Sequence, residues 1–197
     1  MEYNEIYMIK QYSIRRDEIE EIEMDLTSLC NLKCYICTRN FKHSMFMLNK
    51  NVIRPMKDII AQLDTFKGLT RFFIAGSMSE PTLHPEFFEF IKYLNSRNIY
   101  YELFTNGNTH DEAWWEELGK IIPAKCMVCF TVCGSTQALH SYYRVCSNLN
   151  QILKHASAFR KNNKHNDYCQ HILFEYNKVD YDNGNMQKIF KQFSHSF

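Results

Sequence analysis

The chain has 197 residues, with 23 Lys and Arg against 22 Asp and Glu, a net charge of +1. That balance gives no electrostatic reason to expect nucleic acid or an acidic membrane surface as a partner. Hydrophobic residues at 45%, charged residues at 23%, and only 6 Gly and 4 Pro describe a globular chain and exclude disordered, collagen-like or low-complexity character.

In chain order, a short apolar run is followed again and again by a helical pattern. Ile22, Met24 and Leu26 alternate with Glu21, Glu23 and Asp25, which predicts a strand. A loop of about two dozen residues separates it from a helix with Met56, Ile59, Ile60, Leu63 and Phe66 on one face behind Pro55. Leu69 to Ala75 reads as a second strand, and Pro85 as the start of a helix carrying Phe88, Ile91 and Leu94. A third strand runs from Ile99 to Phe104 and ends at Thr105-Asn106-Gly107; a short helix follows over Asp111 to Leu118. The fourth strand is Met127 to Val132, ending at Gly134. Leu149, Ile152, Leu153, Ala156 and Phe159 mark a long amphipathic helix. Gln170 to Tyr176 reads as the fifth strand, and Met186, Ile189, Phe190 and Phe193 open the last helix. No sixth strand is apparent.

Such alternation predicts an α/β fold with a parallel sheet and helices outside it. Right-handed crossovers put every strand's C-terminal end on one face, where both barrels and open sheets place their sites. The cysteines at 30 to 37, Gly76 to Pro81, Thr105 to Asn108, Cys133-Gly134 and Asn177 all follow predicted strands. They are expected to converge. The first ten residues include Glu2 and Glu5 and lack a long apolar run, so no secretory or transit peptide is expected there. Cys126 to Cys133, the longest nearly apolar stretch, is too short to span a bilayer. A cytoplasmic protein with no membrane partner is expected, and there eight cysteines stay reduced.

Cys30, Cys34 and Cys37 place three thiols within eight residues, enough to wrap one metal centre. Thiolates are soft, anionic ligands that suit iron-sulfur clusters or zinc. A cubane cluster on three protein ligands leaves one iron open. A structural zinc needs a fourth ligand, for which His43 is nearest.

The C-x3-C-x2-C spacing, with the apolar Ile36 before the last cysteine, resembles the signature of the radical S-adenosylmethionine (SAM) enzymes. Gly76-Ser77-Met78-Ser79-Glu80-Pro81 is similar to that family's "GEP" segment after strand two. Thr105-Asn106-Gly107 resembles its "TNG", Thr131-Val132-Cys133-Gly134 its "S-x-D-G", and His140 with Tyr143-Arg144 its "H…YR". Together these features cover roughly residues 19 to 177 in the family's order. The resemblance implies a partial (β/α) barrel of the radical SAM type, as a single core domain over 1–197 with an N-terminal extension over 1–18. It leaves open whether a C-terminal part is missing.

It also implies a [4Fe-4S] cluster on Cys30, Cys34 and Cys37 that reductively cleaves SAM. A 5′-deoxyadenosyl radical then abstracts hydrogen from an unidentified peptide or small-molecule substrate. The loop at Ile36 would contact adenine, and Ser79 and Glu80 the methionyl end, with Asn106 nearby. Thr131 and Arg144 would contact the ribose or carboxylate. Flavodoxin or ferredoxin is the kind of electron donor implied. Two other readings stand beside this one: an activase that installs a glycyl radical on a partner, and a non-catalytic iron-sulfur or zinc scaffold. Ser79 where the family has glycine, Cys133 where it has aspartate, and the missing sixth strand are the departures that favour a scaffold.

The remaining residues read more plainly. Cys126, Cys129, Cys133, Cys146 and Cys169 are expected as buried hydrophobes rather than a second cluster, with Cys133 nearest the functional end. Lys154, Arg160, Lys161 and Lys164 read as a solvated helix end, and Trp114 and Trp115 as helix packing.

Overall fold

The computed structural model describes residues 15–40, 52–164 and 166–196. His43 lies outside the described residues. Strands β1 (Glu21–Met24), β2 (Arg71–Ile74), β3 (Tyr100–Thr105), β4 (Met127–Val132), β5 (Asp167–His171) and β6 (His195–Ser196) form one sheet. They lie in sequence order, and every neighbouring pair is parallel. Among the described residues β6 does not return to β1, so the sheet is an open arc. Helices α1 (Met56–Leu63), α2 (Phe87–Ser96), α3 (Glu112–Ile121), α4 (Gln137–Tyr143), α5 (Leu149–Arg160), α6 (Glu175–Asp182) and α7 (Met186–Phe190) occupy the crossovers.

The period of two along each strand decides what the arc holds. One row, including Phe72, Ile74, Tyr101, Leu103, Val128 and Phe130, is fully buried and joins the apolar core with the helices. Phe72 meets Phe90 of α2 edge to face, with ring centroids 5.2 Å apart, and Trp115 of α3 packs 5.1 Å from Phe130. The alternate row, Glu23, Phe73, Phe104, Thr131 and Gln170, lines the inside of the arc. Deeper in the alternate register, Glu102 pairs with Arg71 at 2.7 Å and accepts a hydrogen bond from Tyr100 Oη at 3.0 Å.

Helices α3 and α5 approach closely because Gly119 has no side chain. A Cβ there would lie 2.3 Å from the Phe159 carbonyl oxygen. Alanine is the better helix former by up to about 1 kcal/mol. Forcing two packed backbones apart costs about 1–3 kcal/mol. Gly119→Ala is therefore expected to lower the urea midpoint of unfolding, and an unchanged or higher midpoint would show that the contact yields freely.

The structure corrects the predicted elements in several places. A sixth strand exists, two residues long, pairing Tyr168 with His195 and Cys169 with Ser196. Both of its residues are polar, so no apolar period announces it. The fifth strand begins and ends earlier than predicted, at Asp167 and His171, and Tyr176 lies in helix α6. The apolar run at 172–174 is the approach to that helix, whose start is held by Phe174 N–H donating to Asn177 Oδ1 at 2.7 Å. Asn177 thus lies on α6, yet its Nδ2 donates to the Cys133 carbonyl at 2.9 Å, at the end of β4.

Asp167 can start a strand fully buried because Arg160 ion-pairs with it and Ser194 donates to it. Arg160 is accordingly a tie between α5 and β5, and Lys161 pairs with Glu116; neither is a purely solvated charge. Helix α4 is an element the apolar spacing misses. Its signal is Thr136, whose hydroxyl accepts from Leu139 N–H as an N-cap. The predicted helix at Pro85 begins at Phe87, after a short 3-10 turn at Pro81–Leu83.

A candidate cofactor site at the C-terminal edge of the sheet

The loop after β1 is fixed at both ends by its neighbours. Ser28 N–H donates to the Val52 carbonyl at 2.9 Å, and Val52 N–H donates to Ser28 Oγ at 2.6 Å. Further on, Glu80 N–H donates to the Leu29 carbonyl at 2.7 Å, which ties the loop to the segment after β2. Lys33 and Tyr35 donate through their backbones to the carbonyls of Val145 and Tyr143, at 3.0 and 2.9 Å, which ties it to the end of α4. Asn31 Nδ2 donates to the Asn108 carbonyl at 2.8 Å, and Asn106 Nδ2 donates to Asn31 Oδ1 at 2.9 Å. The segments after β2, β3 and β4 therefore all grip the cysteine loop.

These segments enclose a cavity of about 550 Å³. Cys30, Cys34 and Cys37 line it, each half-buried, together with Ile36, Ser79, Glu80, Asn106, Thr131 and Arg144. All nine residues singled out from the sequence thus border one space. Asn106 Nδ2 also lies 3.9 Å from Cys30 Sγ. Burial pushes the Cys34 thiol up to about 11, against the pull of the Arg144 guanidinium, and raises Cys30 as well. Metal binding at such thiols displaces their protons. Among the described residues no three Cys, His, Asp or Glu side chains converge tightly enough to hold one metal ion. The donor set fits a multi-iron cluster in its chemistry: three soft sulfur ligands on one loop, opening on one cavity that also carries polar groups for a ligand.

Glu80 borders the cavity and is also held by the protein itself. It is 1% exposed. Its Oε1 accepts from Thr82 Oγ1 and from Thr105 Oγ1, both at 2.7 Å, and its Oε2 accepts from Asn106 N–H at 2.7 Å. Burial raises its carboxyl, and those donors oppose the rise. It braces the β2 segment to the β3 segment, and so sets the position of Asn106. Its neighbour Ser79, in the family's glycine position, donates to Asp25 Oδ1 at 2.5 Å. Asp25 is a residue the motif reading passed over. The alternation in β1 hinted at it, since Glu21, Glu23 and Asp25 share the row that faces the inside of the arc.

Arg144 Nε donates to Cys133 Sγ at 3.3 Å. Burial opposes the Arg144 charge, but the sulfurs of Cys133 and Cys34 outweigh it and raise its pKa. The guanidinium has no carboxylate partner among the described residues, and it borders the cavity. Cys126, Cys129, Cys133 and Cys169 are buried, as expected; Cys146 is the exception, exposed and at φ +73°.

His140 is fully buried, and its Nδ1 accepts from Cys133 N–H at 3.1 Å. Burial and the nearby Arg144 depress it from 6.5 to about 3, so the folded protein holds it neutral. Between those values the unfolded chain binds the extra proton, and stability falls as pH falls. Taking the protein from pH 7.5 to 5.5 should cost about 1.4 kcal/mol through this residue. His140→Asn should remove about that much from the fall in unfolding free energy, measured by urea titration, between the two pH values. An unchanged fall would remove His140 as its source.

The sequence profile of the family described as the Radical SAM superfamily matches residues 24–174. The chain belongs to the Radical SAM superfamily, a family of enzymes, and its open parallel arc is the partial barrel of that class. No curated protein sequence matches the chain significantly. Among solved structures, it is similar to anSMEcpe with bound AdoMet, at TM-score 0.65 and 23% identity, over 90% of this chain and 50% of that one. It is similar to anSMEcpe with bound AdoMet and the Cp18Cys peptide at TM-score 0.62 and 25% identity, over 90% and 49%. Streptococcus suis SuiB bound to S-adenosylmethionine superposes with TM-score 0.68 at 15% identity, over 87% and 38%. The chain spans about half the length of the anSMEcpe chain. No helix among the described residues is long and apolar enough to cross a membrane.

Proposed function

We propose that this chain is the core of an enzyme that cleaves SAM reductively, on a [4Fe-4S] cluster held by Cys30, Cys34 and Cys37. The observation that carries the reading is that these three thiols border the same cavity as Ser79, Asn106, Thr131 and Arg144. When bound, such a cluster supplies one electron and an open iron for SAM, the chemistry behind a 5′-deoxyadenosyl radical that abstracts substrate hydrogen.

The chain's own residues would bind and orient. Arg144, which pairs with no carboxylate among the described residues, suits the carboxylate of the methionyl group. Ser79 and the Asp25 behind it offer acceptors for the ammonium, and Glu80 keeps the neighbouring backbone in place. Asn106 approaches Cys30 Sγ and so orients the loop as well as lining the cavity. Thr131 borders the cavity with a hydroxyl that suits a ribose, and Ile36 with an apolar side chain that suits adenine. The substrate class we favour is a peptide or small molecule, with a flavodoxin or ferredoxin type of donor and a cytoplasmic setting.

After anaerobic reconstitution with iron and sulfide, the protein with SAM and dithionite is expected to form 5′-deoxyadenosine. A loaded protein that leaves SAM intact would favour the scaffold reading. Activity only in the presence of a partner that gains a glycyl radical would favour the activase.

A further inference from the structure

A second groove, of about 440 Å³, adjoins the first. Its walls are aromatic: Tyr35 from the cysteine loop, Tyr142 and Tyr143 from α4, Phe174, and Tyr176 from α6. The rings form a continuous bank, with Tyr142 4.7 Å from Tyr176, Phe174 5.6 Å from Tyr176, and Tyr143 4.6 Å from Phe174. Tyr35 and Tyr142 are 77% and 68% exposed, so their faces are open to a ligand. The one charged side chain in the lining is Glu175, which makes no side-chain hydrogen bond or ion pair among the described residues. Among the described residues no Lys, Arg or His lines the groove. Ile36 and Tyr143 border both this groove and the cysteine cavity, so the two spaces share a wall.

The exposed rings of Tyr35 and Tyr142 offer faces of negative potential, and the Glu175 carboxylate adds to it, while the Arg144 guanidinium acts on Tyr143 and Tyr176 from the cysteine cavity. A place in the first turn of α6 accounts for a negative charge at Glu175. It does not account for the rings gathered around it. A neutral ring or aliphatic group would use the aromatic wall and leave the carboxylate unpaired; an anion would be repelled. A flat or alkylated organic cation uses both.

We propose that this groove is a specificity subsite for an organic cation, a guanidinium or alkylammonium carried by the substrate next to the group that reacts. The assignment rests on the reading of the adjoining cavity as the reaction site, because the shared wall at Ile36 and Tyr143 is what makes it a substrate subsite. The cation could belong to a basic residue of a peptide or to a small quaternary amine.

Calorimetric titration of the reconstituted full chain tests it without turnover. The probes are Nα-acetyl-arginine amide, its neutral near-isostere Nα-acetyl-citrulline amide, and tetramethylammonium. The arginine derivative should bind about fivefold or more tightly than citrulline, as expected for a cation on open aromatic faces. Glu175→Gln and Tyr142→Leu should each reduce that preference, and both substitutions fall at side chains that are not buried. Matching circular dichroism would show that the variants fold. Tetramethylammonium binding as well as the arginine derivative would point to a small amine, and weaker binding to a peptide side chain. Equal binding of arginine and citrulline would overturn the proposal. So would a preference that survives both substitutions, or displacement of the arginine probe by adenosine, which would make the groove a nucleoside site. A chain that prefers arginine yet yields no 5′-deoxyadenosine would keep the cation site and reject the reaction.

Discussion

Replacing Glu80 with alanine is expected to destabilise the protein by about 3–5 kcal/mol, because it strands several buried donors at once. Thr82 Oγ1, Thr105 Oγ1 and Asn106 N–H all give their hydrogen bonds to this one carboxylate. Thr82 and Thr105 are buried, so loss of the carboxylate leaves their hydroxyls short of an acceptor. Each abandoned donor costs about 1–3 kcal/mol, with some relief from relaxation of the hydroxyl rotors. Glu80→Gln keeps the shape and one acceptor oxygen. It is expected to cost about 1–2 kcal/mol, since one amide NH2 must then face hydroxyls that were donating. Urea unfolding monitored by circular dichroism separates the two variants. A loss in the alanine variant no larger than in the glutamine variant would show that the brace is not there. Because Asn106 is held by the same carboxylate, SAM affinity should fall in the alanine variant even where the fold persists.

How far the sequence could be read follows from what its patterns encode. Phe72, Ile74, Leu103 and Phe130 repeat on one strand face, and such repetition exposes β2, β3 and β4 to within a residue or two of their limits. The cysteine loop was legible because ligand spacing within eight residues is a local property. Ser79, Glu80 and Asn106 were legible because they follow strands, and Thr131 because it lies at the end of one, since parallel strands deliver their C-terminal ends to one edge; Arg144 comes after helix α4.

What stayed hidden depends on partners distant in the chain. Asp167 is a poor strand residue until Arg160 pairs with it and Ser194 donates to it, so the apolar pattern starts β5 too late. The strand His195–Ser196 is defined by pairing alone. Glu80 looks the same in sequence whether it faces a ligand or three buried donors, and only the positions of Thr105 and Asn106 distinguish these. The aromatic groove draws Tyr35, Tyr142 and Phe174 from three separate segments, a juxtaposition that no local motif records.

For the three thiols of one loop, the most telling measurement is iron and sulfide content. The reconstituted protein and the Cys30→Ala/Cys34→Ala/Cys37→Ala variant would be compared, both prepared without oxygen. These side chains are half-buried and lie outside the apolar core, so the variant should fold with little loss of stability. Cys126, Cys129, Cys133 and Cys169 are buried, Cys129 and Cys169 within strands β4 and β5 and Cys126 and Cys133 flanking β4, and none of the four lines the cavity. The unaltered chain is expected to hold about four iron and four sulfide per molecule, as a cubane cluster requires. The variant should hold almost none and should lose all SAM cleavage. A variant that keeps its full iron content would contradict the assignment and move the metal to the other cysteines.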